Sequence, residues 1–171
     1  MQLSQKEKQL LQDQKKHEQV CIQKYESNAQ QASDPQLQQL FQSYAQQEQQ
    51  HLSTIESIMN GQVPSMGQGQ QSQQSQQSQT SMQSNAQTGQ SATASASASS
   101  TASATGSQAD AMLCNDMLMT EKFVSGAYDT AIFEFTDANV RQALNHIQKE
   151  EQQHGEGIYN YLSSKGMYNV K

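Results

Sequence analysis

The chain carries the motif Glu-Gln-Gln-His twice, at 48–51 and at 151–154. Glutamine is abundant, but histidine is not, and two of the four histidines lie in this motif. A Glu and a His three positions apart share one face of a helix, where both can bind one metal ion. Carboxylate oxygen and imidazole nitrogen suit Fe, Mn or Zn. The repeated motif therefore leads to the hypothesis of a duplicated metal site.

The repeat extends well beyond the motif. With an offset of 103 residues, the segment that ends at 63 aligns with the segment that begins at 110 without a gap. Uncommon residue types match in the same register: Glu18 with Glu121, Tyr25 with Tyr128, and Asp34 with Asp137. An abundance of glutamine cannot produce these matches. Each half is therefore interpreted as one copy of a supersecondary unit.

Each copy is predicted to be a hairpin of two helices. Asp34-Pro35 is a helix start, because Asp caps free amides and Pro is tolerated at the first helical position. Gly61 and Gly166 follow the last helices of the two copies, where a left-handed residue is favoured. The predicted helices cover 4–31, 34–60, 110–135 and 137–164. Since neither hairpin can bury its apolar face alone, the sequence predicts an all-α four-helix bundle.

The segment between the copies has a different composition. Gly, Gln, Ser, Ala and Thr dominate it, and no charged residue lies between Glu56 and Asp110. Such a segment cannot bury enough apolar surface to offset its ordering entropy, so it is predicted to be a disordered linker. It either only connects the hairpins or mediates assembly. The predicted organisation is a first hairpin at 1–63, a linker at 64–109 and a second hairpin at 110–171, with both hairpins in one domain.

The predicted helices place charged groups on their apolar stripes. Steps of four and three residues trace one apolar stripe along each helix, with a glutamate in its middle. A buried ionised carboxylate is costly unless it is paired or bound to a cation. One Glu from each of two helices, with Glu-x-x-His from each of the other two, is the ligand set of dinuclear carboxylate bundles. The predicted ligands of two Fe or Mn ions, with Zn possible, are Glu18, Glu48, His51, Glu121, Glu151 and His154. The alternative is a metal-free cluster held by hydrogen bonds and partial protonation.

Other polar residues near the stripes receive lesser roles. Tyr25 and Tyr128 are predicted mainly to pack in the core, the alternative being a hydrogen bond to the site or electron relay. Glu150 is predicted to be solvated, and His17 and His146 to lie at the surface or its boundary. No Ser/His/Asp arrangement, phosphate loop or Cys-x-x-Cys motif is present, so no catalytic residue is assigned.

Composition and charge exclude several classes of function. The net charge of -6 argues against nucleic acid as the main partner. No apolar run approaches the roughly 20 residues that span a bilayer. No apolar stretch follows a basic N-terminus, so no signal peptide is predicted and synthesis in the cytoplasm is expected. Cys21 and Cys114 are too few for a disulfide framework or a four-thiolate metal site, and are predicted to be packed thiols.

The second copy resembles the spore coat protein F (Coat F) family of spore-forming Firmicutes. The resemblance rests on DMLMTEKFVSGAYDTAIFEFTDANVRQALNHIQKEEQQHGEGIYNYLSSKGMY at 116–168. It contains an EK pair, an AY, a D-x-N-x-R turn, an EEQ-x-H block and a terminal KG-x-Y. The first copy, at 8–61, is more distant, although its DPQLQQL is similar to the family's DP-x-L-x-x-L helix start. The resemblance implies a ferritin-like bundle deposited in the spore coat.

The ligand pattern is also similar to the wider ferritin-like superfamily, including rubrerythrin and manganese catalase. Two departures from rubrerythrin stand out. The chain lacks a four-cysteine rubredoxin module, and Leu118 and Val124 stand where an additional glutamate of the third helix would lie. These departures argue against peroxidase chemistry of the rubrerythrin type.

Two functions therefore remain open. The first is a structural or protective spore coat protein with a dinuclear metal site, whose partners are other spore coat proteins or further copies of itself. The second is a redox enzyme that uses the metal pair for peroxide removal or metal oxidation. The first predicts coat-associated material whose assembly depends little on the six ligands. The second predicts turnover that is lost with Glu48→Ala or Glu151→Ala.

Overall fold

The computed structural model describes residues 2–64 and 107–168. These residues form four α-helices, and the predicted all-α class is confirmed. Apart from its ends, the predicted linker at 64–109 lies outside the described residues. The helices are α1 (Gln5–Gln31), α2 (Pro35–Met59), α3 (Gln108–Glu134) and α4 (Ala138–Ser164).

The helix ends follow from local sequence. Asp34 and Asp137 cap α2 and α4, as predicted, with carboxylates that accept from the first free backbone amides. Gly61 and Gly166 adopt φ angles of 81° and 68°, which confirms their predicted role beyond the helix ends. Helix α3 begins two residues before its predicted start, because the Ser107 hydroxyl accepts a hydrogen bond from the Ala109 amide, 3.1 Å away.

Two equivalent contacts define how the hairpins pack. The Glu7 carboxylate, at the start of α1, accepts from the Thr136 amide and hydroxyl in the α3–α4 loop, at 2.9 and 3.1 Å. Asp110, at the start of α3, accepts from the Ser33 amide and hydroxyl in the α1–α2 loop, at 2.8 and 2.7 Å. Helices α1 and α3 are therefore antiparallel, and the directions in chain order are up, down, down, up. The end of α2 and the start of α3 lie at opposite ends of the bundle.

The apolar core consists of two layers that the duplication relates. One layer contains Ile55 and Leu144, and the other contains the equivalent Ile158 and Phe41. Along α2 and α4 the Glu-Gln-Gln-His motif separates the residues of one layer from those of the other. The bundle is therefore apolar toward both ends and polar in the middle.

Two further observations concern the cysteines and the membrane. Cys21 and Cys114 are buried free thiols, as expected. Within the two described ranges, no helix combines the length and the apolar character that a bilayer span requires.

The contact of Glu7 with the opposite loop predicts a pH-dependent stability. Hydrogen bonds from the Thr136 and Ser4 amides lower the pKa of Glu7 from 4.5 to about 2. Because the folded-state pKa is depressed, the stabilisation is present above pH 4.5 and is lost as the pH falls toward about 2. Glu7→Gln should therefore lower the free energy of unfolding at pH 7 by about 2 kcal/mol, the usual worth of a charged hydrogen bond.

Urea unfolding of both proteins between pH 7 and pH 2 measures this difference. Its magnitude should shrink on acidification. The exposed Glu26→Gln is the control and should change stability little at any pH. A Glu7→Gln effect that is absent at pH 7, or equally large at pH 2, would contradict the assignment.

Candidate metal centre

The six predicted ligands converge in the middle of the bundle. They come from all four helices, and none is more than 2% exposed. The buried acidic and imidazole groups form two overlapping sets of four. In each set, one ligand atom from every residue lies within 4.8 Å of the other three.

The first set contains Glu18, Glu48, His51 and Glu151. Its imidazole presents Nδ1 to the three carboxylates. This nitrogen lies 3.1 Å from Glu151 Oε1, 3.4 Å from Glu48 Oε2 and 3.6 Å from Glu18 Oε2. We call this set the His51 position.

The second set contains Glu48, Glu121, Glu151 and His154. His154 Nδ1 lies 3.0 Å from Glu48 Oε1, 3.5 Å from Glu151 Oε2 and 3.9 Å from Glu121 Oε1. We call it the His154 position. Glu48 and Glu151 belong to both positions, so two cations bound here would share these carboxylates.

The outer nitrogen of each histidine has its own partner. His51 Nε2 lies 2.9 Å from Glu150 Oε2, and His154 Nε2 lies 2.6 Å from Gln47 Oε1. Glu150 and Gln47 are equivalent in the duplication, since each directly precedes the repeated motif. The prediction that Glu150 is solvated is therefore wrong in its essential point. The Glu150 side chain is 33% exposed, but its carboxylate extends to α2 and contacts Nε2 of the His51 imidazole.

Glu18 and Glu121 each belong to one position only, and each accepts a hydrogen bond from a tyrosine of the opposite hairpin. The Tyr25 hydroxyl donates to Glu121 Oε1, and the Tyr128 hydroxyl donates to Glu18 Oε1. Both tyrosine side chains are fully buried. The sequence predicts core packing as the main role of this pair, with a hydrogen bond to the site as an alternative. In the structure both tyrosines are buried, and both also make that hydrogen bond. His17 and His146 lie outside both sets, as predicted.

Electrostatics make this cluster costly without cations. Burial raises the pKa of Glu18 well above its usual value, and burial with repulsion from Glu151 does the same for Glu121. Burial opposes protonation of His51 and His154, but close contacts with the surrounding carboxylates raise both pKa values. Burial disfavours the Glu151 carboxylate as well, yet its close contacts with both histidines lower its pKa. Protons and imidazolium charge therefore compensate part of the acidic charge.

The donor set fits a pair of metal ions. Within the described residues, the buried side-chain atoms without a hydrogen-bond partner are Asn28 Nδ2 and, in the cluster, Glu18 Oε2, both Glu48 oxygens, Glu121 Oε2, Glu151 Oε2 and His154 Nδ1. Buried polar atoms without partners are rare in native proteins, and a cluster of them offers several donor atoms to a cation. With a cation at each position, outward hydrogen bonds from Nε2 to Glu150 and Gln47 would leave both Nδ1 lone pairs free to bind it.

Tyr44 adds a contact that the sequence did not indicate. Its ring lies against the His154 ring, with centroids 4.3 Å apart. The side chain reaches α4 beside Gly157, where a Cβ would overlap the Tyr44 hydroxyl. Glycine at this position therefore permits the tyrosine to support the imidazole. The sequence offered no signal for this pair, because it depends on the separation of α2 and α4.

This contact predicts an exception to the usual effect of glycine in helices. Replacing an interior helical glycine with alanine normally gains about 0.5–1 kcal/mol. Gly157→Ala should instead lose about 1–3 kcal/mol through overpacking, and adding Tyr44→Phe should recover part of that loss. Gly126→Ala is the control, because a Cβ there meets nothing within 4 Å. Thermal unfolding of the variants measures both effects, and equal stabilisation by the two alanines would refute the packing role.

A groove lies beside the cluster on the face formed by α3 and α4. It encloses a volume of about 630 Å³, and Glu121 and Glu151 contribute to its lining. The other lining residues include Leu118, Lys122, Gly155 and Tyr159. The groove therefore adjoins the His154 position.

A family model and a curated relative each match part of this chain. The chain is 31% identical over 67 residues to the uncharacterised protein YusN of Bacillus subtilis (strain 168), an alignment that covers 39% of this chain. The chain spans 61% of the length of that relative. No solved structure matches. Residues 109–171 match the family model of the Coat F domain, which confirms the expected resemblance of the second hairpin to that family.

Proposed function

We propose that the protein is a spore coat-type protein whose ferritin-like bundle binds a dinuclear metal site. The proposed ligands are Glu18, Glu48, His51, Glu121, Glu151 and His154, and the proposed cations are Fe or Mn, with Zn as a further candidate. The observation that carries the proposal is the pair of overlapping four-residue sets that share Glu48 and Glu151.

The topology supports the ferritin-like part of the proposal. Up-down-down-up order requires one long crossover, as in ferritin-like folds, and the duplication relates the two hairpins around the cluster. Each of α1 and α3 contributes one glutamate, and each of α2 and α4 contributes a Glu-x-x-His pair. Dinuclear carboxylate bundles draw their ligands from four helices in this way.

The residues around the proposed site have distinct tasks. A bound metal pair would neutralise the acidic charge and supply Lewis-acid or redox chemistry. Glu48 and Glu151 face both positions, and each histidine serves one. Tyr25 and Tyr128 orient the unshared carboxylates by hydrogen bonding. The apolar layers above and below keep water from the cluster at the two ends of the bundle.

The spore coat assignment rests on the similarity of the second hairpin to the Coat F domain. It implies association with other spore coat proteins or with further copies of the chain. In sporulating cells that express the chain, fractionation should place it in the coat extract. Recovery from the spore core or from vegetative cells alone would count against this part of the proposal.

Metal analysis of the purified protein tests the site. Protein at equilibrium with excess Mn²⁺ or Fe²⁺ should hold close to two ions per chain once the free metal is subtracted, as the two donor sets require. His51→Ala/His154→Ala removes one nitrogen ligand from each position and should lose most of this metal. His17→Ala/His146→Ala is the matched control, since it removes the two histidines outside the sets. Equal retention by both double variants would overturn the metal proposal.

The groove favours a second candidate, a redox enzyme. Glu121 and Glu151 contribute to the groove wall, so a small oxidant has a path to the His154 position. Peroxide removal or metal oxidation should then occur in the metal-loaded protein and disappear with Glu48→Ala or Glu151→Ala. Full metal content without such turnover would favour the coat role alone.

A further inference from the structure

Resting on the proposed dinuclear site, we infer that its two positions are functionally different. The His51 position holds its ion tightly, and the His154 position releases and exchanges its ion. The duplication makes the inner ligands equivalent, so any difference must come from surrounding residues. Two independent departures from the internal symmetry lie there, and both act in the same direction.

The first departure is the partner of each histidine. Glu150 accepts from His51 Nε2 with a carboxylate, whereas Gln47 accepts from His154 Nε2 with an amide oxygen. A carboxylate partner makes an imidazole a stronger metal ligand and adds negative charge near the ion. Glu150 and Gln47 are thus positioning residues, and their difference strengthens the His51 position relative to the other.

The second departure is access from solvent. The α3–α4 groove is lined by Glu151, which both positions share, and by Glu121, which belongs to the His154 position only. Ser125 and Gly155 line this groove, and a Cβ on Gly155 would lie 3.9 Å from Glu121 Cβ. These small residues leave a path from solvent to the carboxylate.

The equivalent face of the first hairpin carries larger side chains. Ile22 and Leu52 occupy the positions equivalent to Ser125 and Gly155, and both are buried. Outside them, an ion pair joins Lys15 Nζ to Glu56 Oε1 at 2.8 Å. Its members are equivalent to two groove residues, Leu118 and Tyr159. Larger side chains therefore cover the His51 position on the first hairpin, whereas the groove approaches the His154 position on the second.

Equilibrium binding tests the effect of the outer partners. Titration of metal-free protein with Mn²⁺, followed by the electron paramagnetic resonance signal of free Mn²⁺, should resolve a tight and a weak class of one ion each. His51→Ala should remove the tight class and His154→Ala the weak one. Glu150→Gln should weaken the tight class about 10- to 100-fold, the usual effect of losing an outer partner. Gln47→Glu should strengthen the weak class.

Release kinetics test the effect of the groove. Excess EDTA should remove Mn²⁺ in two phases of equal amplitude, the faster one belonging to the His154 position. Gly155→Leu, which installs the residue found at position 52, should slow the faster phase alone. Gly155→Ala is the control, because its Cβ makes only an ordinary contact and leaves the groove open. Metal content of each variant verifies that both positions still fill.

The outcomes separate this inference from the proposal beneath it. Failure to bind Mn²⁺, Fe²⁺ and Zn²⁺ alike, or binding unaffected by either histidine variant, overturns the dinuclear site itself. Two ions bound with equal affinity and released in one phase leave the site standing and overturn the inference. The inference is also overturned if a tight and a weak class of bound Mn²⁺ exist, but Gln47→Glu and Glu150→Gln leave both affinities unchanged and Gly155→Leu leaves both release rates unchanged.

Discussion

Glu18, Glu48, Glu121 and Glu151 meet between the two apolar layers of the bundle. The repulsion between these four carboxylates is the constraint on which the surrounding arrangement depends. Repulsion between carboxylates is strong where water is excluded, because little solvent screens it. Two imidazoles, two tyrosine hydroxyls and raised carboxyl pKa values offset part of this cost. Several carboxylate oxygens still have no hydrogen-bond partner among the described residues, which is the need that the proposed cations would meet.

The internal duplication explains how a bundle can concentrate so much charge at one level. Each hairpin supplies half of the cluster, and crossed contacts fix their relative position. Glu7 and Asp110 bind the loop of the opposite hairpin, while Tyr25 and Tyr128 bind its unshared glutamate. Equivalent residues therefore support the same centre from opposite directions. Some equivalent positions hold different residues, such as Gln47 and Glu150. These differences are informative, because the common ancestry of the two halves does not account for them.

Much of this arrangement could be predicted from the sequence. The remaining contacts could not be predicted, and the reason is physical. The six clustered residues were identifiable because a charged residue on an apolar helical stripe must face the core. Asp34, Asp137, Gly61 and Gly166 marked helix ends through local backbone chemistry. The partner of His51, the acceptor for Tyr25 and the fit of Tyr44 against Gly157 depend on which helices are neighbours and how closely they approach. Periodicity within one helix carries no such information, and it therefore misplaced Glu150 in solvent.

The most direct test of the central claim is the stability of the protein with and without cations. Unfolding by urea should be followed in EDTA and in Mn²⁺ at about 100 times its dissociation constant, where one bound ion adds about 2.7 kcal/mol. The account predicts a gain of at least this size for the wild-type chain and little gain for His51→Ala/His154→Ala. An identical free energy of unfolding in EDTA and in Mn²⁺ would show that the buried carboxylates are stable without metal and would contradict the account.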